Sequence, residues 1–299
     1  MIYTDHLARP VRGPLSSSTL DRAYMEPTQI IAREALLREC PIVGVYAETG
    51  TGKTMFAATL MHDPRYRKTL YLDADRGAAT IAHITTQEAL CTYRRPGKGV
   101  VNAFALQQWL VSEIALAHKV PGIQAVVIEG LARIYEDLVG EEHNKVSPED
   151  MVGNKLKRLY IIPAGMVKGV ISAISNLQAQ LVAADRAVPI FVTINAKEKQ
   201  GDNDTVWQIP SLSDSASKIL MARSQAFVQL VRLGKTLSIA TDRDAYTTLR
   251  KVRHAGAAIA IAKLRNTTAP QMLQVWADAV EAESKNVSNH LTNESNNNE

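Results

Sequence analysis

One stretch, residues 47–54, constrains the fold of this chain more than any other part of the sequence. Its letters, AETGTGKT, fit the pattern GxxxxGK(S/T), with Ala47 in place of the usual first glycine. The apolar run 41–47 before it is typical of a buried strand, and residues 55–61 after it have the composition of a helix. A glycine-rich turn between a strand and a helix directs its backbone amides at phosphate. The stretch therefore predicts a phosphate-binding loop in an α/β fold.

The roles predicted within this loop follow from its side chains. Gly50 and Gly52 let the amides turn inward, because neither residue carries a Cβ atom. Lys53 would contact the β- and γ-phosphates, and the Thr54 hydroxyl would bind Mg²⁺. The predicted nucleotide-binding residues are Ala47, Glu48, Thr49, Gly50, Thr51, Gly52, Lys53 and Thr54.

Two further apolar runs end in carboxylates. Residues 70–72 form a predicted strand that leads into Asp73 and Asp75, and residues 125–128 form another that ends at Glu129. In open α/β sheets the ligand lies beyond the carboxyl ends of the strands, so these acids are expected to face the nucleotide. Glu129 would coordinate Mg²⁺ directly or through water. An Asp-rich turn, or a core strand with a terminal acid, is the purely structural alternative.

The other predicted elements surround these landmarks. Residues 188–195 form a strand that ends in Thr193 and Asn195, and Asn195 is either a sensor of the γ-phosphate or a turn former. Helices are predicted at 26–40, 104–119, 167–184 and 270–282, a hairpin at 226–233 and 236–240, and strands at 247–252 and 257–264. The polar segment 200–217, which contains Trp207, has the composition of a mobile loop.

Composition bounds the class of protein. With 299 residues, 46% of them hydrophobic, the chain can bury a sizeable core. Two cysteines and scattered histidines give no disulfide framework or metal-ligand spacing, which favours a cytoplasmic location. The sequence shows no signal peptide and no apolar run near 18–20 residues, so no membrane span is expected. The predicted division is a flexible arm at 1–25, one domain at 26–283 and a disordered tail at 284–299.

The order of the landmarks resembles the RecA-like ATPase core over about residues 40–265. The segment that ends at Asp75 resembles the strand end where that superfamily places its water-activating carboxylate, which is more often Glu. The segment around Glu129 resembles its Walker B strand, with Glu for Asp, and the run ending at Asn195 resembles its sensor strand. Because both acids are exchanged, the resemblance leaves open which of Asp75 and Glu129 is the base and which binds the metal.

The resemblance implies a fold, cofactors and an assembly. The expected fold is a twisted, mostly parallel sheet with helices on both faces and a C-terminal β-hairpin region, and the expected cofactors are ATP and Mg²⁺. The chain is most similar to the phage-encoded recombinases and to the KaiC and RadA branch, which implies a homo-oligomeric ring or filament. That branch places Lys-x-Arg near a neighbour's nucleotide, and Lys263 and Arg265 match this spacing on a predicted strand.

A basic region suggests a polyanionic partner. Residues 218–265 carry ten Lys or Arg and two Asp, an excess of eight positive charges on a chain whose net charge is +4. In RecA-like proteins the loop after the sensor strand contacts single-stranded DNA, and an aromatic side chain there would stack on a base. The predicted nucleic-acid residues are Lys197, Lys199, Trp207, Arg250, Lys251 and Arg253. A solvated basic face with Trp207 packed in the protein is the alternative.

Three functions fit these features. The first is a Mg²⁺- and ATP-dependent motor or recombinase that acts on single-stranded DNA as an oligomer. The second is a nucleotide-gated assembly or switch protein with slow hydrolysis and no role on DNA. The third is a small-molecule kinase, against which the hairpin-rich C-terminal half and the absence of evident lid arginines argue.

Overall fold

The phosphate loop follows a central strand of a nine-stranded sheet. A computed structural model of the chain describes residues 33–75, 91–147, 154–200, 206–241 and 250–296. The strands in these ranges are β1 (Ile42–Ala47), β2 (Thr69–Asp73), β3 (Thr92–Arg94), β4 (Ala125–Glu129), β5 (Ile190–Gln200), β6 (Val206–Pro210), β7 (Ala226–Leu233), β8 (Thr236–Ala240) and β9 (Lys251–Val252).

Helices connect most of these strands. They are α1 (Arg33–Arg38), α2 (Lys53–Ala58, continued by a 3-10 turn at Thr59–His62), α3 (Ala103–Ala117), α4 (Leu131–His143), α5 (Asn154–Ala183), α6 (Asp214–Arg223), α7 (Ala255–Ala262) and α8 (Ala269–Asn296). The hairpin of β7 and β8 around Gly234 and Lys235 has the predicted bounds.

The strand order brings the predicted site residues to one edge. The order is β3-β2-β4-β5-β1-β7-β8, with β6 paired to β5 and β9 paired to β7. Strands β3, β2, β4, β5, β1 and β7 are mutually parallel, whereas β6, β8 and β9 are antiparallel to their neighbours. Parallel strands share the edge at which they end, so Asp73, Glu129 and Asn195 lie at the same edge as the phosphate loop.

Helices cover both faces of the sheet. One core cluster packs α3, α4, α5 and α6 on the face that includes Leu72 and Ile128. The other packs α1, α2, α7 and α8 on the face that includes Tyr71 and Val127. Successive strand residues point to opposite faces, so Asp73 and Glu129 share the face of α2, the helix that follows the phosphate loop. The predicted α/β class, with a mostly parallel sheet and helices on both faces, is confirmed.

Helix α5 corrects the expectation that no apolar stretch is long enough to span a membrane. Its segment Leu159–Ala183 is long and apolar enough to do so by length and composition. One face of this segment, including Val167, Ile171 and Ile174, is buried in the core against the sheet. The periodic apolar face that predicts the helix at 167–184 is therefore a packing face.

Residues 257–264, predicted as a strand, are mostly helical in α7. Alanine has the highest helix propensity, and the run AGAAIAIA in α7 contains five alanines, so its alternating isoleucines do not mark a strand. Of the strand predicted at 247–252, residues 251–252 form β9, while 247–249 lie outside the described residues.

The predicted mobile loop at 200–217 is largely ordered secondary structure. Strand β5 runs on to Gln200 and pairs with β6 in an antiparallel hairpin, and α6 begins at Asp214. Residues 201–205, between these two strands in the sequence, lie outside the described residues. Polar composition suggested a loop because the end of β5 and the residues that follow it are mostly polar, although β6 carries the buried Ile209.

The predicted disordered tail is helical as far as Asn296. Helix α8 packs Met272, Trp276 and Val280 into the core, and a helix that is anchored in this way extends at low cost into the following residues. An ion pair of 2.7 Å between Lys285 and Glu281 supports the continuation. The predicted arm at 1–25 and the start of the predicted helix at 26–40 lie outside the described residues.

Candidate nucleotide-binding site

The phosphate loop has the backbone geometry that its glycines predict. Gly50 and Gly52 have φ values of 83° and 107°, in the left-handed region that residues with a Cβ atom rarely adopt. The buried Lys53 ammonium donates hydrogen bonds of 3.0 Å to the carbonyl oxygens of Ala47 and Glu48. Burial lowers the pKa of Lys53, while the nearby Glu129 carboxylate acts in the opposite direction. The Lys53 ammonium is therefore held against the backbone of the first two residues of the loop.

Two side chains on other strands donate hydrogen bonds to the phosphate loop. The Arg232 guanidinium on β7 donates from Nε and Nη2 to the Thr51 carbonyl oxygen, at 3.2 and 3.0 Å. Gln208 on β6 donates from Nε2 to the Glu48 carboxylate. Sequence reasoning missed both contacts, because only the strand pairing shows that β7 lies beside β1 and that β6 pairs with β5, the other neighbour of β1. The parity of Arg232 along β7 is a weak signal that it shares a face with α2.

Glu129 is held at both carboxylate oxygens. The Thr54 hydroxyl donates to Oε1, and the Tyr71 hydroxyl donates to Oε2 at 2.6 Å. Glu129 is 4% exposed, and burial raises its pKa, whereas the two hydrogen bonds act to lower it. Two predicted metal-binding residues, Thr54 and Glu129, are thus in direct contact although they are 75 positions apart in the sequence. Tyr71 was not predicted, because inside an apolar run a tyrosine is indistinguishable from a core residue.

Asp73 and Asp75 lie on either side of the end of β2. Asp73 is fully buried, lies opposite Glu129 in the strand register, and accepts a hydrogen bond from the Tyr93 hydroxyl. Asp75 is partly exposed, and burial, with Glu129 and Asp73 nearby, raises its pKa to about 6. A carboxylate with this pKa accepts a proton near neutral pH more readily than an ordinary Asp.

The position of Asp75 is set by contacts with α4. Gly130, with φ of 101°, precedes this helix, and a Cβ atom there would lie 2.7 Å from the Ala74 Cβ and 2.9 Å from the Asp75 amide nitrogen. Arg133 in the first turn of α4 donates to the Asp75 carbonyl oxygen at 2.9 Å. The absence of a Cβ atom at Gly130, directly after Glu129, thus permits the close approach of β2 and α4.

Asn195 adjoins the loop through the strand register. It pairs with Ala47 across β5 and β1, is partly exposed, and its carbonyl oxygen accepts the Ser211 amide at 2.7 Å. The structure therefore places this predicted sensor next to the first residue of the phosphate loop. Two residues earlier, Thr193 is buried beside Glu129.

The arrangement fits a nucleoside triphosphate with a divalent cation. Within the described ranges, no group of three or more His, Cys, Asp or Glu side chains is arranged to hold a metal ion. A Mg²⁺ ion at Thr54 and Glu129 would therefore take its remaining ligands from phosphate oxygens and water, which is how Mg²⁺ is commonly bound. Thr54 and Glu129 supply the oxygen ligands that such an ion prefers.

Lys263 and Arg265 were predicted to lie on one strand with both side chains facing the same way, but they do not form part of a strand. Lys263 caps the C-terminus of α7, and Arg265 makes an isolated bridge with Ser238 on β8, the last strand in the sheet order. The Arg265 guanidinium donates to the carbonyl oxygens of Ala262 and Leu264, at 2.7 and 2.8 Å. The strand-based reason for pairing these two charges is therefore wrong, and their role toward a neighbouring subunit stays a prediction.

The predicted nucleic-acid residues have partners within the protein. Lys197 donates to the Leu212 carbonyl oxygen at 3.1 Å, and burial lowers the pKa of its ammonium. Lys199 lies 3.9 Å from the Asp214 carboxylate, and Arg253 donates to the Ser224 and Ala222 carbonyl oxygens.

Of the other predicted nucleic-acid residues, two belong to the described structure, and the side chain of the third lies outside it. Arg250 hydrogen-bonds Tyr46 in the core, and Lys251 lies on β9. Trp207 belongs to β6, but its side chain lies outside the described part of the structure, so its predicted stacking role stays a prediction.

Comparisons with known proteins identify similar folds. No protein-family model matches the chain, and no curated protein matches it. Among solved structures, it is similar to the assembled ATPase EscN of the enteropathogenic E. coli type III secretion system, with 13% identity and a TM-score of 0.41 over 65% of this chain. It is also similar to the flagellar accessory protein FlaH of Methanocaldococcus jannaschii, with 10% identity and a TM-score of 0.38 over 67% of this chain. The chain covers 43% of EscN and 76% of FlaH.

Proposed function

We propose that this protein binds ATP with Mg²⁺ and hydrolyses it. The observation that carries the proposal is the contact between Thr54 and Glu129 beside the buried Lys53. The loop after β1 and the end of β4, distant in sequence, bring the Lys53 ammonium and the oxygens of Thr54 and Glu129 together at the carboxyl edge of the sheet, which supports phosphate and metal binding there. A glycine-rich turn without function would need no such partner two strands away.

The geometry favours one division of labour between the two acids. Both oxygens of Glu129 are fixed by hydrogen bonds from Thr54 and Tyr71, which suits a residue that orients a metal ion. The pKa of Asp75 is raised, and no described residue donates a hydrogen bond to its carboxylate. Both properties suit a base that orients and deprotonates water. Lys53 and the cation would then stabilise the charge that develops on the γ-phosphate.

We further propose that the protein works as an oligomer, in the cytoplasm, on single-stranded DNA, as the resemblance to phage-encoded recombinases implies. Gln208 links the hairpin of β5 and β6 directly to Glu48 in the phosphate loop. This contact supports a partner that binds the hairpin in a nucleotide-dependent way. Lys263 and Arg265 lie at the β8 edge of the sheet, where a neighbouring subunit would meet them.

A nucleotide-gated assembly or switch protein without a DNA role is the second candidate. The internal hydrogen bonds of Lys197 and Arg253 favour it, because these cations already have partners before any phosphate arrives. The hairpin would then contact another protein subunit instead of a nucleic acid.

Hydrolysis is tested by measuring phosphate release with Mg²⁺ and with EDTA for the wild type, Glu129→Gln and the exposed control Glu39→Gln. We expect release only with Mg²⁺, its loss in Glu129→Gln and no change in Glu39→Gln. Release that is the same with EDTA, or unchanged in Glu129→Gln, contradicts the proposed site.

The two candidates are separated by adding a single-stranded oligonucleotide at two salt concentrations. Stimulation that falls steeply with salt supports the action on DNA, because phosphate contacts release counterions. The absence of both stimulation and binding supports the assembly or switch protein.

A further inference from the structure

Two buried side-chain oxygens flank Glu129 without a hydrogen-bond partner among the described residues. They are Oδ1 of Asp73, which is 0% exposed, and Oγ1 of Thr193, which is 2% exposed. Asp73 pairs with Glu129 across β2 and β4, and Thr193 pairs with it across β4 and β5. The three residues therefore form a row across three adjacent parallel strands at the edge where the phosphate loop lies.

The three side chains of this row point to the same side of the sheet. Strand residues two positions apart share a face, and Tyr71, Val127 and Phe191 all belong to the core on the side of α2. Asp73, Glu129 and Thr193 follow them by two positions and face the same side, toward Thr54 at the start of α2. The two unpaired oxygens are consequently directed at the region in which a cation on Thr54 and Glu129 would lie.

An unpaired hydroxyl oxygen at a position as buried as Thr193 lowers the stability of the folded protein. A buried hydroxyl without a partner destabilises the folded protein, and valine has the same shape without this penalty. The neighbouring strand residues at 190–192 are Ile, Phe and Val, so an apolar residue would be in keeping with its surroundings. A partner that arrives with a ligand explains why polar atoms occupy both positions.

We propose that Asp73 and Thr193 hold the water molecules that surround a divalent cation bound with the nucleotide. Mg²⁺ loses its water reluctantly, so a site with one protein carboxylate retains several water ligands that require hydrogen-bond partners. The Asp73 carboxylate would accept from one such water on one side of Glu129, and the Thr193 hydroxyl would bind another on the opposite side. Tyr93 donates to the other oxygen of Asp73 and keeps that carboxylate in place.

The proposal rests on the proposed nucleotide site and is tested by metal binding instead of turnover. Mn²⁺ replaces Mg²⁺, and its binding is measured by electron paramagnetic resonance with a non-hydrolysable ATP analogue. The variants are Thr193→Val, Thr193→Ser and Asp73→Asn. The matched control is Ser217→Ala, because Ser217 is also a buried hydroxyl without a described partner but lies on α6, against the opposite face of the sheet.

We expect Thr193→Val to bind Mn²⁺ about tenfold more weakly, as is typical when an outer hydrogen-bond partner of a metal site is lost. Without ligands it should unfold at a higher temperature than the wild type, because an unpaired buried hydroxyl is removed. Thr193→Ser should retain Mn²⁺ affinity, and Asp73→Asn should lose it. Ser217→Ala should gain stability in the same way but bind Mn²⁺ normally.

Unchanged Mn²⁺ affinity in both Thr193→Val and Asp73→Asn, with normal binding by the wild type, overturns this inference and leaves the proposed function intact. Failure of the wild type to bind Mn²⁺ with the analogue overturns both. If Asp73→Asn does not fold, Thr193→Val with its serine and Ser217 controls decides the matter alone.

Discussion

The carboxyl edge of the sheet and the basic C-terminal region differ in how their charged groups are engaged. At the edge, Lys53, Thr54 and Glu129 converge on one another across strands that are far apart in sequence. In the basic region, Arg265 donates to the carbonyl oxygens of Ala262 and Leu264, and Arg253 donates to those of Ala222 and Ser224 at the end of α6, so the two arginines do not converge on a common point. Convergence of polar groups on one point indicates a ligand, whereas a high count of cations within a segment does not.

Arg232 shows why the two regions cannot be separated by sequence position. It lies within the basic segment 218–265, yet its guanidinium holds the Thr51 carbonyl oxygen of the phosphate loop. Part of the charge excess that suggests a nucleic acid therefore belongs to the candidate nucleotide site.

The largest expected effect tests the edge itself. Lys53→Ala should reduce ATP hydrolysis by about a hundred- to a thousandfold, because the charge nearest the phosphates is lost from a buried site. Phosphate release is the measurement, and Lys235→Ala in the turn between β7 and β8 is the control from the basic region. Equal losses in the two variants would remove the distinction between the regions.

A pH-dependent effect on stability tests the environment of Asp75. Its pKa of about 6 exceeds the ordinary value of 3.8, so the folded state binds more protons between these values and loses stability as pH rises through them. Asp75→Asn should therefore be more stable than the wild type by up to about 3 kcal/mol above pH 6, and by little at pH 4.

Urea unfolding at several pH values, without Mg²⁺ or nucleotide, measures this difference. Asp185→Asn, at an exposed acid beyond the end of α5, is the control variant. A constant difference between Asp75→Asn and the wild type from pH 4 to 8 would show that Asp75 titrates normally.

Arg232 and Arg265 both donate to backbone carbonyl oxygens, one at the phosphate loop and one at the β8 edge, so variants of the two compare these regions directly. Arg232→Gln should weaken binding of an ATP analogue about tenfold, because a charged hydrogen bond to the phosphate loop is lost. Arg265→Gln, which loses similar bonds at the β8 edge, should bind the analogue like the wild type. Fluorescence titration of a labelled analogue measures both, and the reverse order would place the nucleotide nearer the β8 edge of the sheet.

The smallest expected effect concerns the support of Glu129. Tyr71→Phe removes a hydrogen bond of 2.6 Å and should raise the Mg²⁺ concentration needed for half-maximal analogue binding about fivefold. Tyr160→Phe, at a surface tyrosine of α5, is the control. If the two variants need the same Mg²⁺ concentration, Tyr71 is a packing residue only.

The sequence was sufficient for those parts of the fold that depend on local pattern. The strand before the phosphate loop, the strand ending at Glu129 and the hairpin of β7 and β8 all lie where apolar runs and turn residues predict them. The strand predicted at 257–264 was wrong because alternation in an alanine-rich run does not distinguish a strand from a helix.

Long-range contacts of the site were beyond the reach of pattern. Tyr71, Arg232 and Gln208 act through neighbours that only the strand order supplies. The internal hydrogen bonds of the cations could not be predicted from the sequence either. Nothing local in the sequence indicates that Lys197 donates to the Leu212 carbonyl oxygen.

Strand β5 runs without a break from the middle of the sheet into the projecting hairpin. Between Asn195, beside the phosphate loop, and Gln200, the described end of this strand, the chain extends by roughly 16 Å at about 3.3 Å per residue. A rotation of about 5° at Asn195 would carry Gln200 through roughly 1.4 Å by this geometry alone. A small angular change at Asn195 would thus be magnified into a larger displacement at the described end of β5, with no hydrogen bond in the ribbon having to break.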